Sequence, residues 1–417
     1  MQYKITPPTH IEDTILLPAS KSISNRALII HALAGGNIIP ENLSTCDDTA
    51  VIARAFKDNP YEIDIMAAGT AMRFMTAYLA VTEGEHVLTG TERMKQRPIK
   101  ILVDALRFLG ADIQYTGEEG FPPLLIKGKK LKGGSVEVAG NVSSQYVSAL
   151  LMIGPTLEKG LELRLLGNVI SRPYIDLTLN LMHEYGADAE WTDVDTITIR
   201  PKRYEERSYT IENDWTAASY WYAILTLLND RKSYIRFPGL KNGSRQGDSA
   251  AKYIFSLLGV KTTFADKEMD ELTDVTITRK PQMLPRFEYD FKNQPDLAQT
   301  LIALCPIMNI PFKFMGLSSL KLKETDRIEA MKTEMAKLGY VLHDSNDSEI
   351  IWNGERCEVA NPIIIDTYKD HRMAMAFAPL SIKLGELTIN NPEVVSKSYP
   401  HFWNDLRKAG FSIEEIK

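Results

Sequence analysis

Residues 18–28, PASKSISNRAL, place Lys21, Ser22 and Arg26 where an apolar helix begins. A helix N-terminus already carries partial positive charge and unpaired N–H groups, so cations there are disfavoured unless something negative joins them. Two positive charges about 5 Å apart repel by about 3 kcal/mol at an effective dielectric of about 20. The chemistry such a stretch can do is anion binding. Five further apolar helices open in a comparable manner: at Gly69 and Thr70 with Arg73, at Ser143 and Ser144, at Asp214, at Asp296, and at Asp370 with Arg372. Other cations stand beside a second set of helices: Arg93, Lys95 and Arg97 before Pro98, Lys323 and Arg327 around Glu324, and Lys397 before Pro400. Singly, each opening reads as ordinary capping and each cation as solvated surface charge. Together, six equivalent helix ends would bring about +3 of charge to one anion-binding cleft.

The elements that must position these residues repeat along the chain. VDALRFLGADIQY (103–115) is echoed by LNLMHEYGADAEW (179–191) and more loosely by segments at 253–264, 332–343 and 403–414. Each reads as a helix closed by glycine (Gly110, Gly186, Gly259, Gly339, Gly410) and followed by a strand. Upstream of each lies a more apolar helix, one of the six above, and short strands separate the two. The unit reads βαβαββ and occurs six times, the first abbreviated around 47–58, most simply as two domains of three. The charged stretch RPKRYEERSYTIEND (200–214) suits a domain change or an exposed strand pair equally. In SLKLKETDRIEAM, Thr325 is the expected N-cap, with Ile328, Met331, Met335 and Leu338 on the buried face and Lys323, Glu324 and Arg327 off it.

Composition narrows the partners. The chain has 417 residues, 44% hydrophobic, with a net charge of −6, so no global basic field invites nucleic acid. Three scattered cysteines, Cys46, Cys305 and Cys357, argue against a disulfide framework or zinc site and suit a reducing compartment. No signal peptide and no membrane span is read. No metal is expected, because the seven histidines are scattered. GKKLKGGS (128–135) fails as a P-loop, since Gly134 stands where the lysine belongs. The expectation is a cytoplasmic monomer without cofactor.

LPASKSISNRAL, AGTAMRF, RMKQRPI, VSSQYVSALLM, SRPYIDLTLNLM, KETDRI and DHRMAMAFA, in this order, resemble the EPSP synthase family, the 3-phosphoshikimate 1-carboxyvinyltransferases. The resemblance runs from about residue 3 to residue 409. It implies an α/β fold of two domains, each of three βαβαββ units, the enolpyruvyl transferase-like inside-out α/β barrel. Residues 19–211 would form the upper domain, and 1–18 with 212–417 the lower one, closing on substrate. The implied reaction moves the enolpyruvyl group of phosphoenolpyruvate to the 5-hydroxyl of shikimate 3-phosphate and releases phosphate. Two phosphates and two carboxylates bring a charge of roughly −5 to −6.

By that resemblance, shikimate 3-phosphate is held by Lys21, Ser22, Arg26, Ser143, Ser144, Gln145, Ser171, Asp296, Ser319 and Lys323. Phosphoenolpyruvate is held by Lys21, Gly69, Arg97, Gln145, Arg327, Arg372 and Lys397. Asp296 is the expected base at the hydroxyl, and Glu324 is expected to handle the methylene proton with Lys21 assisting. Ala67, Phe74 and Ser319 depart from the family pattern (Asn, Pro and Asn are usual), and Asp214-Trp215-Thr216-Ala217 replaces a smaller Asp-Ala-Ser-Ser. These bear on phosphoenolpyruvate affinity and on the response to glyphosate. Two alternatives stand beside this reading. One is UDP-N-acetylglucosamine 1-carboxyvinyltransferase, whose reactive loop cysteine is missing around Arg93–Arg97. The other is a non-catalytic anion-binding relative, against which Asp296 and Glu324 argue.

Overall fold

The computed structural model describes residues 1–416 except 229, 267, 281–283 and 347, and not the side chain of Leu322. The chain divides into two compact units. One is continuous, Ala19–Ile211; the other is assembled from Met1–Pro18 and Glu212–Lys417. Each has its own apolar core.

Five four-stranded sheets recur with one topology. In the sheet of residues 62–128, strands Glu62–Asp64 and Gly84–Thr89 run parallel, joined through the helix Gly69–Val81. The chain then passes through the helix Lys100–Phe108 into Asp112–Tyr115 and Leu124–Gly128, an antiparallel pair that adds beside Gly84–Thr89. This is the βαβαββ unit. The first unit is the abbreviated one: helices Lys21–Leu33 and Asp47–Asp58 have no four-stranded sheet of their own among the described residues. In the discontinuous unit two sheets borrow early residues. Glu12–Thr14 pairs parallel with Tyr234–Lys241, and Gln2–Thr6 lies between Leu387–Asn390 and Ser412–Ile416.

The two helices of a unit differ as their composition requires. The openers are apolar nearly all round and buried: in Trp215–Leu227 only Thr216 is not fully buried. The second helices are two-faced, as in Lys100–Phe108, which buries Leu102, Val103, Ala105 and Leu106 and exposes Phe108. Opener packs against opener within each unit, while the sheets flank them. The glycines that close the second helices, Gly110, Gly186, Gly259, Gly339 and Gly410, all have positive φ, between 80° and 103°. No described helix is long and apolar enough to cross a membrane.

Candidate active site

In the continuous unit, the helix ends meet. Thr70 and Gln145, each in the first turn of its helix, are joined by a hydrogen bond from Gln145 Nε2 to Thr70 Oγ1 at 3.0 Å. Ser20 and Ser143 cap their helices through Oγ. Ser144 lies buried at the start of the Ser144–Ile153 helix, and Ser171 precedes the Arg172–Glu184 helix at φ +54°.

The cations at these ends are reconciled in different ways. Lys21 donates Nζ to Asp48 Oδ2 at 3.1 Å, so an acid from the first turn of the next helix offsets the charge. Among the described residues, Arg26 has no carboxylate in its hydrogen bonds. It donates Nε to Thr178 Oγ1 (2.7 Å), Nη1 to the Ser22 carbonyl (2.8 Å), and Nη2 to Ser148 Oγ (3.0 Å) and the Tyr174 carbonyl (3.4 Å). Its guanidinium lies 5.2 Å from the Phe74 ring centroid. Burial lowers its pKa to about 10, and it stays cationic at neutral pH. Among the described residues, four of its five N–H groups are committed, and one on Nη1 is not.

Arg73 is turned to the backbone, donating Nη2 to the Pro98 carbonyl at 2.8 Å and Nη1 to the Gly69 carbonyl at 3.2 Å. It thereby ties the start of the Gly69–Val81 helix to the segment carrying Arg97. Arg97 is buried against Gly69, and its Nε has no hydrogen-bond partner among the described residues. A buried cation in this state suits an anion placed at the helix end.

The discontinuous unit gathers a denser cluster. Arg327, only 1% exposed, donates Nη1 to Asp296 Oδ1 (3.2 Å), Nη2 to Glu324 Oε2 (2.9 Å), and Nε to Asp370 Oδ2 (2.6 Å). Arg372 donates Nη2 to Asp296 Oδ2 at 2.7 Å and Nη1 to Tyr220 Oη at 3.1 Å. Lys397 reaches Glu324 Oε1 at 3.0 Å, and Lys323 lies 3.7 Å from Asp296. Four cations thus face three carboxylates. Burial alone would lower the pKa of Arg327, but Asp370 and Glu324 outweigh it and raise it. Lys323 shifts down because loss of hydration prevails over its attraction to Asp296. Ser319 sits half-buried on the Ser318–Leu322 turn that leads to Lys323, outside the hydrogen bonds just described.

Three sequence expectations are corrected here. Asp326, not Thr325, caps the Arg327–Lys337 helix, because its carboxylate accepts from two N–H groups, Ile328 and Glu329. Arg327 does not lie off the buried face; its carboxylate partners compensate its burial. Asp296 is no cap. It lies in the Pro295–Leu297 turn, and its oxygens serve Arg327 and Arg372. Sequence reasoning passed over Asp48, Tyr220 and the buried Asp248. Burial and the charge of Asp296 push the Asp248 carboxyl up to about 7, against the pull of the Thr216 hydroxyl.

The chain matches the model of the family described as EPSP synthase (3-phosphoshikimate 1-carboxyvinyltransferase) over residues 54–406. It is 55% identical over 414 residues to the 3-phosphoshikimate 1-carboxyvinyltransferase of Bacteroides fragilis, with 99% of both chains covered. The chain belongs to the EPSP synthase family. It is 34% identical to the namesake from Haemophilus influenzae, covering 97% of this chain and 98% of the other. Its fold is that of EPSP synthase from Acinetobacter baumannii (TM-score 0.78, 21% identity, 99% and 100% covered). It also resembles that of the enolpyruvyl transferase NikO from Streptomyces tendae (TM-score 0.70, 16% identity, 99% and 98% covered). As a member of the EPSP synthase family, the chain is a transferase that passes the enolpyruvyl group of phosphoenolpyruvate to shikimate 3-phosphate in the shikimate pathway.

Proposed function

We propose that the Asp296–Arg327–Glu324–Arg372 cluster carries the chemistry of this transfer. The observation that supports it most is Arg327 holding two part-exposed carboxylates, Asp296 and Glu324, from one guanidinium. Asp296 takes the proton of the shikimate 3-phosphate 5-hydroxyl as its oxygen attacks C2 of phosphoenolpyruvate. A proton added to the methylene carbon gives C2 the cationic character that the attack requires. Loss of phosphate from the tetrahedral adduct, with return of a methyl proton, completes the transfer. Glu324 is assigned to the methylene proton. It lies 2.9 Å from Arg327 Nη2 and 3.0 Å from Lys397 Nζ, and is assigned the step that removes a proton. Lys21 is assigned to assist in the step that supplies one.

Binding is divided by charge and reach. Arg327, Arg372, Lys397, Arg97 and the helix end at Gly69 are assigned to phosphoenolpyruvate, with Lys21 and Gln145 contributing. Ser22, Ser143, Ser144, Gln145, Ser171, Ser319, Lys21, Lys323 and Asp296 are assigned to shikimate 3-phosphate, with Arg26 contributing its one uncommitted N–H.

Phosphate release from phosphoenolpyruvate tests this. It should require shikimate 3-phosphate, not occur with UDP-N-acetylglucosamine, and fall sharply in Asp296→Ala. Near-normal turnover of that variant would remove Asp296 from the mechanism.

A further inference from the structure

Three alternate residues of the 243–248 loop reach the segment that opens the Trp215–Leu227 helix. Ser244 Oγ donates to Glu212 Oε1 at 2.8 Å. Gln246 donates Nε2 to the Asn213 carbonyl at 2.8 Å and accepts the Trp215 N–H at 3.2 Å. The third contact is a hydrogen bond from Thr216 Oγ1 to Asp248 Oδ2. Thr216 and Tyr220 are four residues apart and therefore neighbours on one helix face. Tyr220 in turn accepts from Arg372. Asp248 and Arg372 are thus anchored to adjoining positions of one helix, with Asp248 only 2% exposed. Among the charged and titratable groups that act on Asp248 are Asp296, Arg372 and Asp214, and Tyr289 responds to it from the Phe287–Asp290 strand.

We propose that Asp248 is a positioning residue whose proton sets how strongly Arg372 attracts the anionic substrate. Protonated, Asp248 adds no charge beside the Arg372–Asp296 pair. Ionised, it adds a second negative charge to that guanidinium and to Asp296, and so competes with phosphoenolpyruvate. The inference rests on the assignment of Arg372 to phosphoenolpyruvate.

The test is the pH dependence of KM for phosphoenolpyruvate, measured by phosphate release at saturating shikimate 3-phosphate in the full-length enzyme. Asp248→Asn keeps an acceptor for Thr216 and removes the titration. The ratio of the wild-type KM to the variant KM should rise about fivefold between about pH 6 and about pH 8, while kcat stays similar. Ionisation of the substrate is common to both proteins and cancels in the ratio. A ratio independent of pH overturns the proposal. Thr216→Val provides an independent arm should Asp248→Asn fail to fold. Losing the hydroxyl that favours the ionised carboxylate should move the KM rise to higher pH, and an unmoved rise overturns the proposal. Failure of the underlying assignment is distinguishable: Arg372→Gln would then leave KM for phosphoenolpyruvate unchanged at every pH.

Discussion

Gly69 abuts Arg97 so closely that a β-carbon added to the glycine would stand 2.5 Å from Nη1 and 2.7 Å from Nη2 of the guanidinium. The atoms in the way are the end of a side chain, so Gly69→Ala should fold and melt like the wild type while displacing the cation. KM for phosphoenolpyruvate should rise about tenfold, the scale of one charge-assisted hydrogen bond, with kcat less affected. Steady-state kinetics with each substrate varied in turn would show this, and an equal loss against shikimate 3-phosphate would contradict it.

Asp296→Asn keeps the size of the side chain but cannot accept the hydroxyl proton as a carboxylate does. Turnover should fall about 10³-fold, within the range for losing a general base. Affinity for shikimate 3-phosphate, measured by calorimetry, should change far less. Parallel losses in both would make Asp296 a binding residue only.

Arg327 compensates the charges of Asp370, Glu324 and Asp296 from a buried position. Arg327→Met leaves Asp370, itself fully buried, without that partner, and should cost about 3–5 kcal/mol in denaturant unfolding. Adding Asp370→Asn to Arg327→Met should recover part of the loss. A double variant no more stable than the single one would show that the ion pair is not the source.

Glu212 is buried, and its Oε2 has no hydrogen-bond partner among the described residues. Burial pushes its carboxyl from 4.5 up to about 7, against the pull of Ser244. A raised carboxyl favours the protonated fold, so the stability it contributes is full below about pH 4.5 and is lost as pH rises through about 7. The loss corresponds to about 3 kcal/mol. Glu212→Gln mimics the protonated form, so its Tm relative to wild type should climb between about pH 5 and about pH 8. A constant difference across that range would mean that Glu212 does not titrate there.

The framework was legible where local chemistry decides it. Gly110, Gly186, Gly259, Gly339 and Gly410 mark helix ends because the backbone there turns left-handed, which side chains resist. Lys21, Arg97, Lys323 and Arg372 stood out because cations at or near helix ends need a reason. What was not legible depends on distant pairing. Asp48 lies 27 residues from Lys21 and Asp370 lies 43 from Arg327, and neither spacing has a local signature. Asp296 was indistinguishable from Asp214 and Asp370 as a cap until its oxygens were found on two arginines. Thr325 and Asp326 are both good caps, and the choice between them was settled by which oxygen reaches two amides.

The strand Gln2–Thr6 is hydrogen-bonded on one side to Leu387–Asn390 and on the other to Ser412–Ile416. This inner strand is therefore synthesised well before both of its neighbours. Residues 19–211 can consolidate meanwhile, since the described residues of their core, from Ala19 to Ile211, all lie in that span. The strand Gln2–Thr6 has both edges unpaired until those neighbours are made. Translation order and assembly order are thus inverted for this sheet.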